Sequence, residues 1–419
     1  MPGRLLYHTK SVCPRCLRAV PAALLEDGGA VYMEKGCPEH GSFRCLVWED
    51  TSEAYLAWLR RGGLEPGQLP ASEAEAEALP GSFDARAARQ PASAALMTTN
   101  ACGLDCPVCF TRRRGEAPRQ PGLDECAERL RAFRQRAGEG ALLELCGGEP
   151  TERRDICELA ALASGLGFDF IQLNTNGLRL AESPELCARL RESGVTTVYL
   201  GFDGLSEGPY LAKYGRPLLE AKQRAVENSI AAGLAVVLAC CVLPGGNEGE
   251  LGAVVDYARR HMPGVRGVYF QPASWFGIYP AGAQARRITI PGLIRRLAGQ
   301  YPDISERDFS PGHYEHPQCS FNACYMLDRR GRLCALTGPD TRPEPGVERL
   351  RATLRRSWLP SKSPLLTVGG MAFQDAWNID LLRLGRCSIQ IIGEDGAGIP
   401  LCAKYLSSSG GDRLLPGID

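Results

Sequence analysis

Between residues 92 and 272 the chain alternates short apolar runs with stretches of helical period, and no other feature limits the fold as much. The runs are ASAALMTT (92–99), ALLELC (141–146), FDFIQLNT (168–175), TTVYLGF (196–202), LAVVLACCVL (234–243) and RGVYFQP (266–272). Residues 123–136, 155–166, 184–193, 215–232 and 248–261 carry the helical period between them. Short strands separated by helices imply βαβ crossovers and a parallel sheet. Six such units are too few to close the eight-fold barrel but suit an open, curved one. The fold class expected is therefore α/β, a partial (β/α)6 TIM-like barrel over residues 92–300. Its chemistry belongs on the loops at the C-terminal ends of the strands.

At 419 residues, 44% of them hydrophobic, the chain has room for two or three domains. Lys plus Arg (48) balances Asp plus Glu (48), so no basic excess is available to neutralise phosphates, and nucleic acid is not the expected partner. The start, MPGRLLYHTK, has no apolar signal region, and no run approaches 18 apolar residues. These readings predict a soluble, cytoplasmic protein without a transmembrane segment. Eighteen cysteines then point to metal binding or catalysis before disulfides. Cys126, Cys146, Cys157, Cys187, Cys240 and Cys241 lie inside apolar runs and read as small core residues.

Residues 1–50 read as a small metal-stapled module of the zinc-ribbon or rubredoxin-like kind, with LEDGGAVYMEKG a hairpin turning at Gly-Gly. Cys13-x2-Cys16 and Cys37-x2-His40 have metal-ligand spacing and fit zinc. Cys45 can instead replace His40, giving four thiolates around a mononuclear iron. So small a unit has little core and needs such a staple. YLAWLRR reads as a helix, and residues 51–91 overall as helix and linker.

Cys102, Cys106 and Cys109 stand at C-x3-C-x2-C spacing just after the first strand. The loop suits three corners of a [4Fe–4S] cube, which leaves one iron free to coordinate a small molecule. Gly147, Gly148 and Glu149 follow the second strand: the glycines allow close approach of the backbone, and the carboxylate can accept from an ammonium group. Asn174, Asn176 and Asp203 lie at later strand ends, where such residues serve ligands or simply make turns and caps. Lys213, Arg216 and the Arg112–Arg114 run read as solvated charge.

These residues resemble the radical S-adenosylmethionine (radical SAM) superfamily over roughly residues 92–300. Cys102, Cys106 and Cys109 match its cluster loop, Phe110 stands where an aromatic commonly lies near the adenine, and Gly147–Glu149 match the segment holding the methionyl amino group. The resemblance implies a cluster that binds SAM and cleaves it to methionine and a 5′-deoxyadenosyl radical, which takes hydrogen from an unactivated carbon. Asn174, Asn176 and Asp203 are then candidates to complete the SAM site.

Residues 301–419 read as an irregular α+β domain with possible hairpins at LDRRGRLCAL and SIQIIGEDGAGIP. Cys319, Cys324, Cys387 and Cys402 can hold one auxiliary [4Fe–4S] cluster, with Cys334 as a spare. Together CPRC…CPEHGSF, HPQC and FQDAWNIDLLRLGRC…IPLC resemble the group with archaeal tetraether-lipid synthases and pterin C-methylases. That group implies C–C bond formation, by coupling or methylation, on a lipid-like or small-molecule substrate, with a flavodoxin- or ferredoxin-type low-potential electron donor. The aromatic stretch YFQPASWFGIYP (269–280) is either a pocket wall or core. Peptide oxidation or crosslinking, and a non-catalytic iron–sulfur carrier, are the alternatives.

Overall fold

The computed structural model describes residues 3–409 apart from 79–89, 112–116, 118, 278, 281, 284, 285, 313 and 342–345, so the Arg112–Arg114 run lies outside the described residues. The chain opens with four strands, β1 (Arg4–Val12), β2 (Ala19–Asp27), β3 (Ala30–Cys37) and β4 (Gly41–Trp48), paired antiparallel in chain order. Between β2 and β3 the turn sets Gly28 and Gly29 at φ +60° and +77°, the mirror-image turn that two glycines accept without strain. Helices α1 (Ser52–Arg61) and α2 (Glu73–Glu77) follow. The amphipathic α1 buries Tyr55, Trp58 and Leu59, and the Trp58 indole donates to the Pro317 carbonyl (2.9 Å).

The six expected strands all form: β5 (Ser93–Thr99), β6 (Leu142–Gly147), β7 (Ile171–Thr175), β8 (Thr197–Gly201), β9 (Ala235–Val242) and β10 (Val265–Pro272). They pair parallel in chain order. The helices between them are α3 (Leu123–Ala137), α4 (Ile156–Gly165), α5 (Leu178–Glu182), α6 (Pro184–Glu192), α7 (Glu207–Tyr214), α8 (Leu219–Ala231) and α9 (Leu251–Arg260), and α10 (Ile290–Gln300) follows β10. Outward-facing Leu143, Leu145, Leu173, Val198, Leu200, Val236 and Leu238 are fully buried beneath these helices.

Residues 301–409 do not stand apart as a separate domain. They supply β11 (Ser310–Pro311), β12 (Ser320–Leu327), β13 (Leu333–Ala335), α11 (Val347–Trp358), β14 (Leu365–Met371), α12 (Leu381–Leu384), β15 (Ile389–Ile392), β16 (Gly398–Pro400) and α13 (Leu401–Lys404). β14 joins β10 in parallel and β15 joins β5 in parallel, so the parallel core is wider than the sequence pattern indicates. The two expected hairpins are β12–β13 and β15–β16. Ile389 beside β5 packs in one cluster with Tyr269 and Met371 from the other flank, so the open sheet curls far enough for side chains of its two flanks to share an interior. Tyr314 bridges the same gap, its hydroxyl donating to the Gln90 carbonyl (2.8 Å).

Helix α11 crosses the N-terminal end of the curled sheet. The fully buried Arg351 guanidinium donates to the carbonyls of Pro91 (2.7 Å), Ala137 (2.9 Å) and Glu139 (3.2 Å), where β5 and β6 begin. At the other end of the helix, buried Arg266 of β10 donates to Arg356, Ser357 and Ser363 carbonyls (3.2, 3.1 and 2.7 Å). Both guanidiniums satisfy main-chain oxygens that burial would otherwise orphan. Trp358 thereby sits as a floor, 5.5 Å from the Tyr269 ring and 6.0 Å from that of Tyr199.

Candidate active site

At the tip of the N-terminal sheet, the ligand atoms of Cys13, Cys16, Cys37 and His40 all lie within 4.8 Å of one another. The His40 Nδ1 is 3.4 Å from Cys37 Sγ and 3.7 Å from Cys13 Sγ, and Cys16 and Cys37 sulfurs are 4.0 Å apart. Thiolates around a tetrahedral zinc, with Zn–S about 2.3 Å, stand about 3.8 Å apart, so the residues fit that ion. Leu17, at φ +61°, bends the first knuckle so that its amide reaches the Cys13 carbonyl (2.8 Å). The hydrogen bond from His40 holds the Cys37 thiol down at about 6. Cys45 is not part of this group, contrary to its candidacy from sequence. It pairs in register with Met33, four residues down the strand from Cys37 or roughly 13 Å away. There it is buried beside Lys35, Arg287 and Asp375, its thiol donating to the Leu46 carbonyl. These groups dock the ribbon: Lys35 donates to Ser11 Oγ (2.9 Å) and the Ala376 carbonyl (2.7 Å), and Thr9 to Asp380 (2.7 Å).

At the C-terminal ends of the parallel strands, the Cys102–Cys109 loop stands over β5 and β6. The Gly148 amide donates to the Thr99 carbonyl and that of Glu149 to Ala101, each at 2.8 Å. Gly147 has φ +145°, and a Cβ there would overlap the Thr99 carbonyl. A Cβ on Gly148 would stand 2.6 Å from the Asn100 carbonyl oxygen and closer still to that of Ala101. The two glycines thus let the β6 end latch directly onto the cysteine loop. Glu149 is 1% exposed, and its carboxylate is engaged by Thr151 N (3.1 Å), Thr151 Oγ1 (2.7 Å), Thr175 Oγ1 (2.6 Å) and Asn176 N (2.7 Å), tying β6 to β7.

Cys106 packs against Leu104, Tyr210, Tyr214 and Leu218, and burial pushes its thiol up to about 11. Beneath it lies an unforeseen cation. Lys222 of α8 is fully buried, donates to the Asn176 carbonyl (2.6 Å) and is brought by burial down to about 8. Lys222 shares the buried stripe of α8 with Ala225, Val226 and Ser229, so a lysine at an apolar position was the available signal. Lys213 is not solvated as expected: it pairs Asp203 (2.9 and 3.0 Å), which also accepts from Tyr214 OH (2.7 Å) and the Cys241 amide (2.8 Å). Burial opposes the Lys213 charge, yet Asp203 holds its pKa well above the ordinary value. Arg216 is exposed, as expected. Asp203 is thus committed within the protein, and the Asn176 side chain caps α5 through the Leu178 amide (2.9 Å). Phe110 is 51% exposed, with its ring edge-on to Tyr405 at 5.0 Å.

Below the loop the sheet encloses a hollow. Inner-facing Glu144, Cys146, Asn174, Tyr199, Cys241 and Gln271 all keep partial exposure, whereas deeper Gln172, Thr197 and Val237 are buried. Cys146 and Cys241 therefore reach the surface of this hollow, Cys146 while packing with Met97 against a core cluster, and the other four cysteines read as core residues are buried. Of the aromatic stretch, Tyr269 packs in the hollow's wall and Trp275 and Phe276 are core.

Near the β5 flank, Cys319, Cys387 and Cys402 lie close enough to feel one another's charge. Arg383 donates to Cys319 Sγ (3.2 Å), and the Gln374 amide donates to Cys402 Sγ (3.2 Å). Burial pushes the Cys402 thiol up to about 12. Cys324 falls outside this set: extended β12 carries it about 17 Å from Cys319, opposite Thr367 and near Arg356 and Arg266. Cys334 is exposed on β13.

The sequence profile described as the radical SAM superfamily matches residues 96–258, and one described as the HMPTM N-terminal zinc ribbon domain matches residues 5–49. The 7,8-dihydro-6-hydroxymethylpterin dimethyltransferase of Methanocaldococcus jannaschii is 34% identical, with 94% of this chain and 92% of that protein covered. The chain belongs to the radical SAM superfamily, in the pterin C-methylase group. The GTP 3′,8-cyclase of Chlorobaculum tepidum is 29% identical over 50% of this chain and 62% of its own length. Among solved structures, Streptococcus suis SuiB bound to precursor peptide SuiA is 13% identical with a TM-score of 0.39, over 70% of this chain and 69% of that one. This radical SAM enzyme has a zinc-ribbon module ahead of its SAM domain, and the domain implies a [4Fe–4S] cluster that binds SAM. Among the described residues no helix is long and apolar enough to cross a membrane.

Proposed function

We propose that this radical SAM enzyme forms a C–C bond, by methylation, on a pterin-class heterocycle. The observation that carries the reading is the match to the pterin dimethyltransferase, which runs through both chains almost end to end. The hollow agrees with it: Glu144, Asn174 and Gln271 make a polar wall, suited to a small ring with hydrogen-bonding edges and poorly suited to an acyl chain.

Cys102, Cys106 and Cys109 would hold a [4Fe–4S] cluster, which with SAM bound would supply the radical chemistry that removes hydrogen from the substrate. The chain's own work is binding, orientation and exclusion of water. Gly147 and Gly148 bring main chain next to the cysteine loop, Lys222 sets a positive charge beneath Cys106, and the Phe110–Tyr405 pair offers an edge for an adenine. Asn174 faces the substrate hollow in this reading rather than SAM. Trp358 and α11 close the far end against water.

Residues 1–50 act as the zinc-held module, 51–91 as its connection, 92–300 as the catalytic core and 301–409 as the segment that closes it. That last segment carries one auxiliary cluster on Cys319, Cys387 and Cys402, with Arg383 offsetting thiolate charge. A low-potential flavodoxin or ferredoxin supplies the electron. Methylation also needs a one-carbon donor, either a second SAM or a one-carbon-bearing reduced pterin carrier. Anaerobic reconstitution with SAM, dithionite, such a carrier and 6-hydroxymethyl-7,8-dihydropterin therefore tests the function. Substrate-dependent 5′-deoxyadenosine together with a methylated pterin is expected, and cleavage of SAM that no pterin stimulates would refute it.

A further inference from the structure

Glu144 is the only acidic residue in the six strands β5–β10, and it lies on the face that lines the hollow. Among the described residues it has no cationic partner, and its carboxylate accepts a single hydrogen bond, from Asn174 Nδ2 to Oε2 (3.0 Å). The Asn174 amide is itself oriented, because its Oδ1 accepts from Gln172 Nε2 (2.6 Å), and Gln172 is 2% exposed. A relay of amides thus aims a donor at one carboxylate oxygen and leaves the other facing open space. A partly buried carboxylate without a cation is destabilising unless something completes it. Its neighbours across the hollow are neutral: Tyr199 accepts from Gln271 (2.9 Å), Tyr269 donates to Asn322 (3.3 Å), and Trp358 lies beneath. Of the charges that reach those neighbours, Lys213 is already paired with Asp203 and Glu315 is a second carboxylate.

We infer that Glu144 is the specificity-determining residue of the hollow and receives a pair of adjacent N–H donors from the substrate ring. This rests on the pterin reading above. In a pterin those donors are N3–H and the 2-amino group, held parallel at the pyrimidine edge, and a carboxylate accepts both at once. Depth supports the assignment. Glu144 lies three residues down β6 from Gly147, roughly 10 Å below the level at which that strand meets the cysteine loop. A fused two-ring substrate seated on Glu144 by its pyrimidine edge points its other ring up at that loop. The same carboxylate fixes which edge lies deep and which carbon is presented for hydrogen abstraction. It also discriminates: a lumazine, with a carbonyl in place of the 2-amino group, sets an oxygen lone pair against the carboxylate.

The test uses the anaerobically reconstituted enzyme with SAM bound and follows equilibrium binding by pterin and lumazine fluorescence. Wild type is expected to bind 6-hydroxymethylpterin at least tenfold more tightly than 6-hydroxymethyllumazine. Glu144→Gln should lose about 10- to 100-fold in pterin affinity and most of the preference, as removal of a charged hydrogen-bond acceptor requires. Iron content and substrate-free SAM cleavage in E144Q report whether the SAM site is intact. Should E144Q not fold, Asn174→Ala serves, with a smaller loss of the preference expected because Glu144 is then unaimed. An intact variant that keeps wild-type affinity and preference overturns the role of Glu144 and leaves the pterin reading standing. Wild-type enzyme that cleaves SAM but binds neither ring overturns both.

Discussion

A side chain at residue 148 has nowhere to go. Its Cβ would meet the main-chain carbonyls of Asn100 and Ala101, which cannot retreat without straining the hydrogen bonds from the Gly148 amide to Thr99 and from the Glu149 amide to Ala101. Gly148→Ala should therefore cost about 1–3 kcal/mol in urea unfolding, as overpacking does, and should load less iron on reconstitution. The triple variant Cys102/Cys106/Cys109→Ala should lose about four irons per chain, measured by elemental analysis, with zinc unchanged. At this scale the sequence was readable where chemistry and spacing coincide, as in the cysteine loop and the Gly147–Glu149 turn. It misled where a charge could be buried or exposed with equal ease. Lys222 is fully buried and Lys213 largely covered, and nothing in their neighbours along the chain states that Asp203, from another strand end, compensates Lys213.

Among elements, the zinc ribbon shows how a register decides between two ligands that spacing cannot separate. Cys37 sits at the hairpin tip opposite Gly41, with His40 in the turn, whereas Cys45 is carried down β4 against Met33. His40→Ala should lower the zinc content, and Cys45→Ser should leave it unchanged, by elemental analysis of the purified proteins. Cys45 belongs instead to the docking face, where Arg287 and Asp375 form a pair that is nearly solvent-free (2.7 Å). Asp375→Ala leaves that guanidinium uncompensated and should destabilise the protein by about 3–5 kcal/mol, read by thermal or urea unfolding. The six parallel strands were legible because each is a short apolar-rich run set between stretches of helical period. The flanking β14 and β15 were not: their parallel partners lie about a hundred and almost three hundred residues earlier, and a four-residue IQII carries no period of its own.

For the whole molecule, the last hundred residues extend the parallel sheet on both flanks and gather the third set of thiols. Cys387→Ser should reduce total iron by up to about four per chain, whereas Cys324→Ser, on the far end of β12, should not change it; elemental analysis beside the wild type separates these outcomes. The C-terminal cysteines were found in the sequence as a group, but their membership was not, because the direction and length of β12 decide that Cys319, and not Cys324, stays with Cys387 and Cys402.

The placement of β14 and β15 also bears on how the chain is made. If β5 through β10 pair in order as they emerge from the ribosome, both outer strands of that sheet keep bare amide and carbonyl rows until residues 365–392 arrive. Open rows of this kind invite pairing with other nascent chains. The same delay leaves the cysteine loop and the interior accessible from the side throughout synthesis. The order of translation thus opens a window in which a cluster can be delivered, and closes it with the final strand.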